Sequence, residues 1–128
     1  MANFCGMLIT LAELAQEEVA ATLEALPDTL REQAEKLPLT LERTPGPDLV
    51  ADGIAPDTLG LFVGPDFAEE GIGASPMPPQ IILYLENLWD LAEQDEEFYL
   101  EEVHTTFLHE LGHYLGLDED ELFERGLE

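Results

Sequence analysis

Three residues in one short stretch have the types and spacing for hydrolytic metal chemistry: His109, Glu110 and His113, within His109-Glu110-Leu111-Gly112-His113. On an α-helix, residues four apart lie about 40° apart in azimuth and one turn apart along the axis, so the two imidazoles point the same way. Two such imidazoles offer nitrogen ligands to one divalent cation. Glu110 lies about 100° round from His109, where a carboxylate takes the proton of a water held by the ion instead of binding the ion itself. The pattern H-E-x-x-H thus divides into two ligands, His109 and His113, and one general base, Glu110.

The element that must carry these residues is a helix with two unlike faces. Val103, Phe107, Leu111 and Tyr114 recur at intervals of three and four, so one stripe faces a core. The histidine side, nearly opposite, carries Glu102, Thr105, Thr106, Gly112 and Gly116, all small or polar. A buried helix with one such face reads as the wall of a cleft. His104 falls on the core side and is expected to be a partly buried histidine with a hydrogen-bonding partner, not a ligand. Gly112 inside a helix costs about 1 kcal/mol relative to alanine, which suggests close approach of another backbone or a need for open space. If the helix ran on past Gly116, residue 119 would be carried away from the histidines; a left-handed glycine at the helix end lets Asp118, Glu119 or Asp120 turn back as a third, carboxylate ligand.

The run His109, Glu110, His113, Gly116 and Glu119 resembles the extended motif H-E-x-x-H-x-x-G-x-x-D of the minimal zincin-like metallopeptidase family, small bacterial proteins related to the metzincins. The family has Asp at the last position and the metzincins proper have His, where this chain has Glu119. None of the fifteen residues after His113 is a methionine, so the methionine turn that metzincins carry beneath the metal is not expected. The resemblance implies one Zn2+ per chain held by His109, His113 and Glu119, with Asp118 and Asp120 as flanking alternatives. It also implies a zinc-dependent metallopeptidase that hydrolyses peptide bonds by metal-activated water, with Glu110 as the base. An extended peptide would lie along a sheet edge, for which Leu59 to Val63 or Gln80 to Leu85 could serve. Tyr84, Tyr99 and Tyr114 are candidates to stabilise the developing oxyanion, Tyr114 the poorest because it lies on the core stripe. The competing reading is a catalytically silent zincin-fold module that binds metal or acts through protein contacts. The intact Glu110 favours the enzyme, since a structural site has no use for a base.

Composition narrows the partners. Four basic residues against 29 acidic ones give a formal charge of −25, which argues against nucleic acid and anionic membranes. The acidic surface either serves solubility or concentrates cations and favours basic peptides as substrates. The lone Cys5 cannot form an intramolecular disulfide, the first basic residue is Arg31, and no apolar run approaches membrane-spanning length. The expectation is a cytoplasmic protein forming one domain over residues 1–128, of a length that can bury a core unaided. No feature of the sequence indicates an oligomeric state.

The remaining elements follow from punctuation and periodicity. A capping-box pattern at Thr10 and Glu13 predicts a first helix over Leu11 to Ala25, stopped by Pro27. A second is expected over Thr29 to Lys36. Leu37 to Arg43 alternates as a strand, Thr44 to Asp57 reads as a loop, Leu59 to Val63 as a short strand, and Gly64 to Pro79 as a second loop. Gln80 to Leu85 is the strongest strand. Glu86 to Gln94 is expected to add a helical turn with Trp89 as a core anchor. Asp95 caps the motif helix, Glu96 to Leu115, and a last short helix covers Asp120 to Arg125. The fold class is α+β: a small zincin-like fold in which a short, twisted mixed sheet packs on the long motif helix and the N-terminal helix.

Overall fold

A computed structural model describes residues 4–63 and 79–116, with side chains from residue 7 on. Glu119, its neighbours Asp118 and Asp120, the expected last helix and nearly all of the expected loop Gly64 to Pro79 lie outside the described residues. The elements in order are α1 (Phe4–Glu24), α2 (Asp28–Glu35), β1 (Leu39–Glu42), α3 (Pro47–Ala51), β2 (Gly60–Val63), β3 (Gln80–Tyr84), α4 (Leu85–Leu91) and α5 (Glu96–Leu115). The fold is α+β with a mixed sheet, as the periodicities require.

The sheet has the order β1-β3-β2. β1 pairs parallel to β3, with Leu39 opposite Ile81 and Leu41 opposite Leu83. β2 pairs antiparallel to β3, with Gly60 opposite Leu83 and Phe62 opposite Ile81. β3 is therefore the centre and its apolar run Ile81-Ile82-Leu83-Tyr84 is buried throughout, as a strand covered on both faces should be. This corrects one expectation: β3 has no free edge to offer a peptide, and β2 alone remains from the two strands considered.

Ile81 and Leu83 join a core with Leu11, Ala15 and Val19 of α1, Leu88 of α4, and Val103, Phe107, Leu111 and Tyr114 of α5. The predicted stripe of α5 is thus the buried one. α1 is tied to α5 at two levels. The Tyr99 hydroxyl donates to the Leu11 carbonyl at 2.7 Å. Thr22 Oγ1 lies 2.8 Å from His104 Nδ1, and since the same hydroxyl donates to the Glu18 carbonyl, Nδ1 must carry the proton. His104 accordingly has the structural partner its place on the helix implied. Trp89 packs edge-on to Tyr99, with ring centroids 5.6 Å apart.

Other boundaries move for identifiable reasons. α1 begins at Phe4, so Thr10 lies inside the helix and the box pattern there caps nothing. α2 starts at Asp28, one residue early, behind Pro27. The expected loop Thr44 to Asp57 contains α3, which places Pro47 in its first turn behind Gly46; proline at that position loses no bond, because the first helical N–H groups have no partner. β1 and β2 are shorter than predicted, and Leu85 belongs to α4 instead of β3.

Candidate metal centre

α5 matches its predicted limits, and both ends show why. The Asp95 side chain accepts from the Phe98 N–H at the start, and Gly116 ends the helix in the left-handed conformation, φ 74°. The helix therefore ends three residues after His113, at the glycine expected to stop it. Between these ends, His109 and His113 stand on the solvent-facing side with Nε2 atoms 3.2 Å apart and rings nearly perpendicular. Two nitrogens bound to one tetrahedral zinc at about 2.0–2.1 Å would lie roughly 3.3 Å apart. The pair thus fits a shared ion. A ligand atom from each of His109, Glu110 and His113 lies within 4.8 Å of the others, and this is the sole such group of three among the described residues.

Glu110 differs from the two histidines by being buried, 9 % exposed. Burial raises its pKa, and three influences oppose the rise: the two imidazoles and a hydrogen bond from the Phe62 backbone N–H. The source of that N–H lies in the strand pairing. Tyr84 N–H donates to the Leu59 carbonyl at 2.9 Å, so Leu59 faces inward to β3, and the alternation of an antiparallel pair turns the backbone groups of Gly60 and Phe62 outward. Phe62 then meets the helix, its ring against Tyr114 at 5.6 Å and its N–H on Glu110. Sequence reasoning did not find Phe62, since a backbone donor has no residue signature.

Gly60 sets how close the strand comes. A Cβ there would lie 2.6 Å from Thr106 Cγ2. Two strand residues advance about 6.8 Å and one four-residue step of helix about 6 Å, so Gly60 opposite Thr106 puts Phe62 opposite Glu110. This in-step contact holds the base at the strand edge.

The family model for zincin-like metallopeptidases matches residues 34–127. This chain is a zincin-like metallopeptidase family member. No curated protein matches the chain. The matched span of this zincin-like protein includes β1, β2, β3 and α5 but leaves α1 and most of α2 outside it. The α1 contacts with Tyr99 and His104 are thus support for the motif helix from beyond the matched region. The three tyrosines considered for the oxyanion are placed elsewhere. Tyr99 is buried and bonded to Leu11. Tyr84 alternates with Leu83, which lies beside the Gly60 Cβ direction toward α5, so its side chain leaves the opposite face of β3. Tyr114 is buried in the core.

Proposed function

We propose that this protein is a zinc-dependent peptidase in which His109 and His113 hold the ion and Glu110 is the general base. The convergence of the two Nε2 atoms beside a buried carboxylate that another element holds in place carries the reading. A zinc ion in this position would supply Lewis acidity and bring the pKa of water down toward ~7. Glu110 takes up the proton that is released and returns it to the leaving amine. Its burial and the Phe62 N–H suit both halves of that task, because the first favours the protonated form and the second the ionised one. Glu119 is the carboxylate assigned as third ligand by the motif. Gly60, whose backbone groups face outward from β2, lines the same cleft and offers an extended substrate a place to pair with the strand edge.

The test is Glu110→Gln, compared with wild type for zinc content, folding and cleavage of a broad peptide library. Zinc and fold should be retained while hydrolysis falls at least about 100-fold, the scale of a lost acid–base catalyst. A mutant that cleaves at the wild-type rate removes Glu110 from the mechanism. A zinc-loaded wild type that cleaves nothing removes catalysis, and a metal-binding domain stands in its place.

A further inference from the structure

We infer that the cleft between α5 and the β2 edge is a side-chain pocket selecting a lysine or arginine beside the scissile bond, with Glu102 as the residue that recognises its charge. The inference deepens the peptidase reading and rests on it. The cleft has a volume of about 330 Å³ and runs from His109 and Glu110 past Thr105 and Thr106 to Glu102, with Leu59 and Gly60 as the opposite wall. That volume is near the lower end for ligand pockets and suits one side chain more than a large group.

Helical spacing fixes the distance between its ends. Glu102 precedes His109 by seven residues, which places the two within about 20° in azimuth and about 10 Å apart along the axis. A substrate backbone held at the histidines would need a long side chain to reach Glu102. Between the two ends lie Leu59 and the tight junction of Thr106 Cγ2 with Gly60, surfaces along which the methylene stem of lysine or arginine can lie while its charged end goes to a carboxylate. The charged groups lining the cleft besides His109 are both acidic, Glu102 and Glu110. Among the described residues Glu102 makes no hydrogen bond or ion pair. Of the described basic residues, Arg31 is engaged by Asp28 and Glu35 and Arg43 by Glu86, and neither they nor Lys36 lines the cleft. An acidic side chain in this position would face repulsion from both carboxylates. An apolar one would leave Glu102 without a partner.

The experiment compares wild type, Glu102→Gln and Glu102→Lys on paired peptides that differ only in lysine or norleucine at each position flanking the cleaved bond. In parallel, peptide hydroxamates carrying lysine or norleucine are titrated into the zinc-loaded proteins, and zinc content is measured for each variant. The expected result at one flanking position is a kcat/KM ratio of lysine to norleucine of roughly ten in wild type. It should fall toward one in Glu102→Gln and below one in Glu102→Lys, with hydroxamate affinities following the same order. Cleavage with a ratio near one in wild type, or a ratio that survives Glu102→Gln, overturns the pocket and leaves hydrolysis standing. If nothing is cleaved but the lysine hydroxamate still binds more tightly and loses that advantage in Glu102→Gln, the pocket stands and hydrolysis falls. Equal hydroxamate affinities without cleavage overturn both. Should Glu102→Lys fail to fold, Glu102→Gln, close to isosteric, decides alone.

Discussion

The Glu110 carboxyl is pulled in two directions: burial favours its neutral form, while His109, His113 and the Phe62 N–H favour the charged one. His109 and His113 have a simpler place, side by side at the solvent with their Nε2 atoms 3.2 Å apart. With no ion between them, one imidazole must donate its proton to the other; with an ion, both present lone pairs. The expected outcome is that zinc raises the melting temperature of wild type and leaves that of His109→Ala or His113→Ala unmoved, because a ligand that binds only the folded state stabilises it by mass action. Equal shifts in wild type and both variants would place the zinc elsewhere. The third ligand can be ranked in the same way. Glu119→Ala should weaken zinc affinity at least about tenfold, the scale of a lost ligand interaction, with smaller effects from Asp118→Ala and Asp120→Ala. A chelator competition that ranks one of the aspartates above Glu119 shifts the register taken from the motif.

α5 and β2 form the site by running in step, and this is where sequence and structure part. The limits of α5 were legible because every signal agreed: Asp95 as a cap, a sustained apolar stripe and Gly116 at the end. The three motif residues were legible for the same reason, since their geometry is local to one helix. The in-step contact was not, because Gly60 and Thr106 are far apart in sequence and only the folded sheet shows Gly60 against the helix. α3 was missed because Pro45-Gly46-Pro47 reads as punctuation whether it breaks a loop or starts a helix. The start of α1 was misplaced because Thr10-x-x-Glu13 occurs within a helix as readily as before one. Gly60→Ala tests the contact. Its Cβ would also meet the Ile82 carbonyl and Leu83 Cδ2, each at 3.3 Å, so the strand must shift or Thr106 must move, at about 1–3 kcal/mol for overpacking. Thr106→Ser removes the opposing methyl. The double variant should be destabilised by less than the sum of the two single changes in urea denaturation, as expected for residues in contact. Strict additivity would mean that Gly60 is required for another reason.

Across the whole molecule, acidic residues far outnumber basic ones around a largely apolar core, in which the Tyr84 hydroxyl and the Trp89 indole N–H are buried without a hydrogen-bond partner among the described residues. The 29 acidic residues against four basic ones leave a formal charge of −25, and the Arg31 and Arg43 pairs are at the surface, where such bridges contribute little. No helix among the described residues is long and apolar enough to cross a membrane. The fold therefore holds together against its own field, which means that core burial and the α1 ties to Tyr99 and His104 must outweigh the repulsion. Raising NaCl from about 0.05 M to about 0.5 M shortens the screening length to a few ångströms. The melting temperature should rise as that self-repulsion is screened. The same change should act oppositely on catalysis if the field draws cationic peptides inward, lowering kcat/KM for lysine-containing substrates and leaving norleucine counterparts nearly unchanged. The two contributions separate in Glu102→Gln, which removes one charge near the bond but barely alters the total. Its remaining preference for lysine, if any, should vanish at high salt, whereas wild type should keep part of its own through the half-buried Glu102 contact. A wild-type preference abolished by salt as completely as the variant's would assign substrate choice to the global field and not to the cleft.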